Sequence, residues 1–218
     1  MLSPLVLRSE RVRLDPLTAG HAGPLARRLG AGPDKYEFTW VPDGLDETRR
    51  YVERALAYQP TGRALAWAVR RRSDDQIVGC TRFLDLEVFG WPPPWPPGAG
   101  QGGEPSDDLP PSVAEIGSTW YAASAQRTGI YAGCKLLLLT HAFDMWDVLR
   151  ITFKTDARNA ASRRAIERLG AKAEGVRRAH SPASDGTVRD TAYYSIIKSE
   201  WPAVRDELNR CLAARSAQ

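Results

Sequence analysis

The stretch from residue 112 to residue 155 constrains the fold of this chain more than any other. It contains a β-rich segment, SVAEIGSTWYA, a polar loop, SAQRTG, a run with apolar residues at helical spacing, YAGCKLLLLTHAFDMW, and a second β-rich segment, LRITFKT. Apolar residues that recur every three to four positions predict a helix, whereas short runs rich in β-branched and aromatic residues predict strands. A strand, a loop, a helix and a strand in this order predict a βαβ unit.

The rest of the chain supplies further strands and helices. Five more strands are predicted from alternating or β-branched residues, namely Leu5 to Leu14, ALAWAVRR, IVGCTRFLDLEV, AKAEGVRRAH and RDTAYYSIIK. Four more helices are predicted in HAGPLARRLG, DETRRYVERALAY, AASRRAIERLG and SEWPAVRDELNRCL. The expected fold is α/β, with a mixed, mostly antiparallel central sheet of about six to seven strands flanked by helices.

Composition excludes several classes of protein. Of the 218 residues, 43% are hydrophobic and 26% are charged, which is ordinary for a globular domain and excludes global disorder. No apolar run approaches the roughly 20 residues that cross a bilayer. The N-terminal residues also lack the long apolar region of a signal peptide, so we expect a cytoplasmic protein without a membrane partner. The three cysteines and three histidines are scattered, which supports neither a disulfide framework nor a metal site.

The net charge of +4 comes from 30 basic and 26 acidic residues. The arginines mostly stand beside acidic residues, as in DETRRYVER and SRRAIERLG, which is typical of solvated helix surfaces. We therefore expect no nucleic-acid partner.

The polar loop of the βαβ unit is a candidate anion site. A loop that enters a helix presents unpaired backbone N–H groups at the positive end of the helix dipole. Within QRTGIY, Gly129 can adopt backbone angles that other residues avoid, and Arg127 and Thr128 add a charge and a hydroxyl. The loop matches neither the dinucleotide fingerprint nor the Walker pattern. An ordinary turn is the alternative interpretation.

These segments resemble the GNAT superfamily of acyl-CoA-dependent N-acyltransferases, whose pyrophosphate loop has the pattern Gln/Arg-x-x-Gly-x-Gly/Ala. The resemblance is closer to the RimJ/RimL-like branch. It rests on EIGSTWY, AQRTG, KLLLLTHAF, FKTDARNAASRRAIERLGAKAEGVRR and DGTVRDTAYYSIIKSEW, which occur in the expected order between Glu115 and Trp201.

The resemblance implies a site for acetyl-CoA, or for another acyl-CoA, as the donor substrate. In similar proteins the sheet splays after the fourth strand, and the pantetheine arm pairs with the main chain of that strand. The implied donor-binding residues are Thr119, Trp120 and Tyr121 on the strand, Gln126, Arg127, Thr128, Gly129, Ile130 and Tyr131 in the loop, and Asn159 and Ser162 at the next helix. As alternatives, Asn159 is simply a good helix cap and Ser162 an exposed helix residue.

Two positions depart from the family pattern. Tyr131 stands where a second Gly or Ala is expected, and its ring would stack on the donor, point toward the acceptor, or face solvent. Ile166 stands where many GNAT enzymes place a tyrosine that protonates the departing thiolate. The acid for that step is therefore not identified from the sequence.

Acyl transfer requires a neutral amine. An α-amine with a pKa near 8 is already partly neutral at pH 7, whereas a lysine amine near 10.4 costs roughly 4 to 5 kcal/mol to deprotonate. Glu115, at the start of the fourth strand, is the candidate catalytic base, acting directly or through a water; a carboxylate that only bonds neighbouring strands is the alternative. Cys134 as an acyl-carrying nucleophile is a further alternative to a buried helix cysteine.

The resemblance favours a protein or peptide N-terminus as the amine acceptor. A small-molecule amine such as an antibiotic, and a non-catalytic acyl-CoA-binding module, are the alternatives. A homodimer is as compatible with the family as a monomer.

Eight of the 16 prolines and four of the 18 glycines fall between Trp91 and Pro111. Related sequences need only a short connection here, so we interpret residues 90–112 as an insertion within a single acyltransferase domain of residues 1–218. Trp91 and Trp95 would anchor the insertion near the acceptor side of the cleft or at a subunit contact. A surface excursion without such a role is the alternative.

Overall fold

The computed structural model describes residues 2–29, 36–90 and 109–214. Eight strands form one sheet: β1 (Leu7–Arg8), β2 (Val12–Pro16), β3 (Ala64–Arg71), β4 (Gln76–Glu87), β5 (Val113–Tyr121), β6 (Arg150–Asp156), β7 (Lys172–Pro182) and β8 (Val188–Ile197). Their order is β1-β2-β3-β4-β5-β6-β8-β7. Within the described residues every neighbouring pair is antiparallel except β5 and β6. The predicted α/β class and mixed, mostly antiparallel sheet are confirmed.

The prediction of a single strand from Leu5 to Leu14 is wrong. The amide of Ser9 donates to the carbonyl of Val12 at 2.8 Å, and this turn makes β1 and β2 an antiparallel pair. Alternating apolar and charged residues fit both arms of a short hairpin as well as one strand. The sheet therefore has eight strands rather than the predicted six to seven.

In the part of the chain that the structure describes, five α-helices cover the sheet, and all five were predicted. They are α1 (Ala22–Ala26), α2 (Gly44–Ala57), α3 (Ile130–Thr140), α4 (Ala160–Glu167) and α5 (Trp201–Ala214). A π-helical turn, His141–Met145, continues α3. Within the described ranges, no helix combines the length and apolar character that crossing a membrane requires.

Each face of the sheet has its own apolar core. On one face, buried residues of α3, α4 and α5, such as Leu138, Ile166 and Leu208, pack with Trp67, Phe83 and other strand residues. On the opposite face, residues of α1 and α2, such as Leu25 and Val52, pack with Ala68, Cys80 and Trp120. Side chains alternate along a strand, so neighbouring residues of β5 and β6 face different helix layers.

The Pro-rich stretch joins β4 to β5, and its two ends are held together. The amide of Ser112 donates to the carbonyl of Glu87 at 2.8 Å, and the amide of Phe89 donates to Ser112 Oγ at 3.0 Å. Residues 91–108, with Trp91 and Trp95, lie outside the described residues. The proposed anchoring and role of the insertion therefore stay predictions.

Candidate active site

The strands β5 and β6 separate soon after they begin. Their parallel pairing covers residues 113–115 and ends there. Along its other edge, β5 pairs with β4, and the register of this pair shifts: the single residue Thr81 lies opposite both Ser118 and Thr119. Ser118 has a φ of 45°. These are the features of a β-bulge, which bends a strand away from its neighbour. The strands thus open into a gap between residues 116–121 and the end of β6, which we call the β5–β6 cleft. β5 is the fourth of the predicted strands, so the sheet opens where the family resemblance implies.

The loop between β5 and α3 lies at the end of this cleft. Thr128 Oγ1 donates to the carbonyl of Ala125 at 2.7 Å, which tightens the loop. Arg127 and Gly129 have φ values of 63° and 86°, and Gly129 is the N-cap of α3. The left-handed backbone predicted for Gly129 is confirmed. The first N–H groups of α3 have no partner within the helix, so this loop presents hydrogen-bond donors beside the cleft.

The side chains at the end of β5 point away from the cleft into the two cores. Trp120 packs beneath α2, where its Nε1 donates to the hydroxyl of Tyr51 at 3.3 Å. Tyr121 packs on the α3 side. Its carbonyl accepts from the hydroxyl of Tyr36 at 2.9 Å and from Nε2 of Gln126 at 3.4 Å. The side chains of Trp120 and Tyr121 are therefore not available to the cleft, and the Tyr121 carbonyl is already bonded.

Tyr131 does not simply face solvent. Its ring is partly buried, lies edge-on to the ring of Tyr121 with centroids 6.0 Å apart, and lies 5.7 Å from Nζ of Lys135. Burial raises the pKa of the Tyr131 hydroxyl above its ordinary value of 10. Tyr131 thus lines the α3 side of the β5–β6 cleft and keeps its proton at neutral pH.

Asn159 and Ser162 are brought together by a helix cap. Asn159 Oδ1 accepts from the amide of Ser162 at 2.9 Å at the start of α4, which confirms the capping prediction. The Ser162 side chain is half-buried. Because α4 follows β6 as α3 follows β5, both helices begin at the same edge of the sheet, where the parallel strands end.

Glu115 is buried, with 7% of its surface exposed, at the last paired position of β5 and β6. Its Oε2 forms an ion pair with Nζ of Lys154 at 2.6 Å, and the same ammonium contacts Asp85 at 2.7 Å. Burial raises the pKa of the Glu115 carboxyl and outweighs the opposing effect of Lys154. For Lys154, the carboxylates of Asp85 and Glu115 outweigh burial and raise its pKa. The carboxylate thus does bond a neighbouring strand, and its catalytic role stays a proposal.

A glycine makes room for this carboxylate. A Cβ placed on Gly117 would collide with Oε1 of Glu115 and lie 3.0 Å from a methyl carbon of Leu84. The absence of a side chain at Gly117 therefore lets the Glu115 carboxylate lie flat against β5, beside the bulge.

Sequence reasoning missed Lys135 as a site residue. The side chain is 2% exposed, and its Nζ donates to Thr119 Oγ1 at 3.0 Å. Nζ also lies 5.7 Å from the ring of Phe153 on β6, so it bridges the two diverging strands. Burial lowers the pKa of Lys135 to about 8. Lys135 follows Tyr131 by four residues, about one helical turn, so the two side chains lie on the same face of α3. This spacing is the only sequence signal that would have pointed to Lys135.

Arg82 was also missed. It is 7% exposed on β4, opposite Gly117, and its guanidinium lies 4.5 Å from the ring centroid of Tyr51. Within the described residues, its Nε and Nη2 have no hydrogen-bond partner. Nothing in the sequence around Arg82 distinguishes it from the other arginines, because the burial comes from α2.

A separate hollow of about 470 Å³ lies on the other side of the loop. It is lined by the β1–β2 and β3–β4 turns together with Thr128 and Ile130. Arg71, in its wall, pairs with Asp74 at 2.6 Å and donates to the carbonyl of Ser124 at 3.0 Å. Arg71 thus ties the loop to β3, but the hollow does not include the β5–β6 cleft.

Among the described residues, no group of three or more His, Cys, Asp or Glu side chains is placed to hold a metal ion.

The geometry disfavours Cys134 as an acyl-carrying nucleophile. Cys134 is fully buried in the core beneath α3, and burial raises the pKa of its thiol, which disfavours the reactive thiolate.

The chain resembles known acetyltransferases in sequence and in fold. Among curated proteins it is similar to the "Putative ribosomal N-acetyltransferase YdaF" of Bacillus subtilis (strain 168), with 34% identity over 88 residues. That match covers 40% of this chain and 47% of YdaF, so the chain spans about half the length of the curated relative it matches.

Two solved structures show the same fold. A GCN5-related N-acetyltransferase from Brucella melitensis has a TM-score of 0.79 at 24% identity, over 97% of this chain and 86% of that one. RimL, a ribosomal L7/L12 alpha-N-protein acetyltransferase in complex with coenzyme A, has a TM-score of 0.67 at 19% identity, over 88% of this chain and 98% of that one. These likenesses agree with the RimJ/RimL-like resemblance.

A family model described as an acetyltransferase (GNAT) domain matches residues 11–172, about three quarters of the chain. The matched residues include β2 to β6, the loop before α3, and α4. This protein therefore belongs to the GNAT acetyltransferase family.

Proposed function

We propose that the protein transfers an acetyl group from acetyl-CoA to a primary amine, and that the acceptor is the N-terminal amine of a protein or peptide. The observation that carries this proposal is the β5–β6 cleft, with the start of α3 at its end, in a chain of the GNAT family. The amine attacks the thioester carbonyl directly in a ternary complex, because the buried Cys134 offers no usable nucleophile.

The donor would lie along β5. The N–H groups of residues 127–131 would hold its pyrophosphate, since they end in a helix N-terminus with Gly129 in the left-handed conformation. The main chain of Thr119 and Trp120 would pair with the pantetheine arm, because beyond residue 115 no strand of the described residues pairs with this edge of β5. Asn159 and Ser162 would contact the donor from the start of α4.

Glu115 would accept a proton from the attacking amine. It lies six residues before the end of β5, roughly 20 Å along the strand, so an extended donor anchored at the loop reaches toward it. Its raised pKa makes it a better base than an ordinary exposed carboxylate. The Lys154 ammonium, 2.6 Å away, favours the ionised form and opposes part of the effect of burial.

The choice of acceptor follows from this base. A carboxylate base suits an α-amine near 8, which is already partly neutral at pH 7, better than a lysine amine near 10.4. The names of YdaF and RimL, which refer to ribosomal proteins, point to the same class of acceptor. A ribosomal acceptor would place the reaction in the cytoplasm.

The test is thiol release from acetyl-CoA by the full chain with a panel of amines. The panel contains peptides with free N-termini, N-terminally blocked peptides that contain lysine, and small amines including an aminoglycoside. We expect release with free N-termini and an added acetyl group on the α-nitrogen by mass spectrometry. Release only with small amines would replace the acceptor assignment. Tight CoA binding without release from any amine would indicate a non-catalytic module.

A further inference from the structure

We propose that Lys135 is a further catalytic residue, whose ammonium group donates the proton that the coenzyme A sulfur takes up as it leaves the acetyl group. This inference rests on the function proposed above. It supplies the acid that the sequence does not identify, since Ile166 occupies the position where related enzymes carry a tyrosine, and Ile166 is buried in the core.

The first argument is where the ammonium lies. Nζ of Lys135 donates to the hydroxyl of Thr119. Thr119 immediately follows the bulged residue Ser118. The Thr119 hydroxyl is fixed in turn, 2.8 Å from the hydroxyl of Thr81 and 3.2 Å from the carbonyl of Gly117. The cation is therefore held against β5 beside the bulge, within the part of β5 that no longer pairs with β6.

The second argument is what surrounds the ammonium. The rings of Tyr131 and Phe153 each lie 5.7 Å from Nζ, and no carboxylate among the described residues lies within ion-pair distance of it. An ammonium has three N–H donors, and the Thr119 hydroxyl accepts one. A buried cation with donors to spare is costly unless a ligand completes its bonds. A departing thiolate in the cleft would do so.

The third argument is that Lys135 and Glu115 lie on opposite faces of the sheet. Ala114 and Ile116 point into the core beneath α3, so Glu115, between them, faces the α1–α2 side. Lys135 reaches the cleft from α3. An amine that loses its proton to Glu115 would thus attack from one face, while the sulfur finds a cation on the other.

Other proton donors near the cleft are poorer matches. The titratable groups beside Lys135 are Cys134 and Tyr131 on α3 itself, and the charge of Glu115 on β5 acts on it from the other face of the sheet. Burial raises the pKa of Tyr131 and that of Tyr121 on β5, whereas it lowers the pKa of Lys135 to about 8. A thiol has a pKa near 8.5. Proton transfer from Lys135 to a thiolate is therefore almost balanced, whereas from either tyrosine it is unfavourable.

The step balances as follows. The acceptor nitrogen forms a bond to the carbonyl carbon and loses one proton, which goes to Glu115 or to a water it holds. The carbon–sulfur bond breaks, the sulfur keeps the electron pair, and it takes a proton from Lys135. Lys135 becomes neutral and regains a proton from solvent before the next turnover. No oxidant or reductant is needed.

The test compares wild type with Lys135→Met, which replaces the buried ammonium by an apolar side chain of similar length and should fold stably. Lys172→Met, at an exposed lysine, is the matched control. The first readout needs no turnover: the thiol of bound coenzyme A is titrated by the ultraviolet absorbance of its thiolate. A cation within about 4–6 Å lowers a thiol pKa by 1 unit or more. We expect at least about tenfold more thiolate at a given pH in wild type and in Lys172→Met than in Lys135→Met.

The second readout is the pH profile of acetyl transfer. In wild type the rate should fall as pH rises through about 8, because Lys135 loses its proton. In Lys135→Met this fall should be absent and kcat should be lower by about 10²-fold, the usual contribution of a general acid. Binding of desulfo-coenzyme A, which lacks the sulfur, should be unchanged.

Two results would overturn the inference: the same thiol titration in wild type and Lys135→Met, or acetylation of Lys135 itself when the protein is incubated with acetyl-CoA alone.

Failure of the proposed role of Lys135 is distinguishable from failure of the proposed function. If wild type releases thiol with amines but Lys135→Met shifts neither the thiol titration nor the pH profile, only the role of Lys135 fails. If coenzyme A binds and its thiol shifts but no amine is acetylated, only the transfer function fails.

Discussion

At Glu115, burial and the Lys154 ammonium act in opposite directions on one carboxyl group. The net effect is a raised pKa in the folded protein. A carboxyl whose pKa is raised by folding stabilises the fold fully at pH values below its unfolded pKa, and this stabilisation is lost as pH rises through the folded value. At pH 7 the ionised carboxylate is thus kept at some cost to stability, which fits a functional group better than a purely structural one.

Glu115→Gln separates the two roles of this residue. Glutamine keeps the shape and an oxygen acceptor for Lys154 but carries no charge. We expect the melting temperature at pH 7 to be no lower than in wild type, while kcat/KM at pH 7 falls by about 10²-fold. Below about pH 8, where Lys135 keeps its proton, the residual rate should rise with pH as more of the amine becomes neutral. The control is Glu87→Gln, an exposed carboxylate on β4. A lower melting temperature with full activity would support the structural interpretation instead.

Gly117→Ala tests whether the carboxylate needs its place against β5. The added Cβ would collide with the Glu115 carboxylate and crowd Leu84. We expect a loss of about 1–3 kcal/mol in the free energy of unfolding, as for other overpacked sites, and a fall in kcat with little change in coenzyme A binding. Gly20→Ala, where the nearest atom to the new Cβ is 3.7 Å away, serves as the control. Denaturant melts give the free energy of unfolding, steady-state kinetics give kcat, and titration calorimetry gives the affinity for coenzyme A.

Among the secondary-structure elements, α3 contributes most to the site, because its N-terminus and its inner face both reach the cleft. Gly129 starts the helix with a φ of 86°. An L-residue in the left-handed region costs roughly 1–2 kcal/mol, and relief of that strain would shift the N–H groups that we assign to the pyrophosphate.

Gly129→Ala should therefore lower both stability and coenzyme A affinity. Gly62→Ala is the matched control, since Gly62 has a φ of 69° with open space around its Cβ position. Both variants should lose a similar free energy of unfolding, of the order of 1 kcal/mol. Only Gly129→Ala should weaken coenzyme A binding, measured by titration calorimetry. Equal affinity in the two variants would argue against the loop as the pyrophosphate site.

The elements were largely predictable from sequence, and the reasons differ from place to place. Asn159 was correctly predicted to cap a helix, and Gly129 to adopt a left-handed backbone, because both features depend on residues that are neighbours in the sequence. The break between β1 and β2 was missed because a two-residue strand leaves almost no periodic signal. Lys135, Lys154 and Arg82 were missed because their importance comes from burial and from partners distant in sequence, which no local pattern encodes.

On the scale of the whole molecule, the sheet separates two surfaces with different tasks. In the proposed function, the face that carries α3, α4 and α5 would present the helix N-termini and Lys135 to the donor. The opposite face, with α1 and α2, carries Glu115 and Lys154, whose ammonium lies 5.4 Å from the ring of Tyr193. Ser184, in the β7–β8 turn, donates to the carbonyl of Glu37 at 2.8 Å, so the segment before α2 reaches the far edge of the sheet.

Removal of residues 91–108 tests the predicted insertion at this scale. The deletion shortens the connection between Glu87 and Ser112 from 24 residues to 6. Each halving of a loop lowers its closure cost by about 0.6 kcal/mol, so the free energy of unfolding should rise by about 1 kcal/mol. Melting curves measure this. A changed KM for the acceptor, or a changed mass by light scattering, would support a role at the acceptor or at a subunit contact. If neither changes, the surface-excursion interpretation stands.

The hydrogen bonds between Glu87, Phe89 and Ser112 have one more consequence. Because they close the β4–β5 connection at its base, the distance between the two ends of the inserted stretch is set by the sheet and not by the stretch itself. Natural variation in the length of this connection can then proceed without disturbing the strand that carries Glu115. For the same reason, it is the place in the chain where a foreign peptide or a reporter domain can be grafted with the least effect on the enzyme.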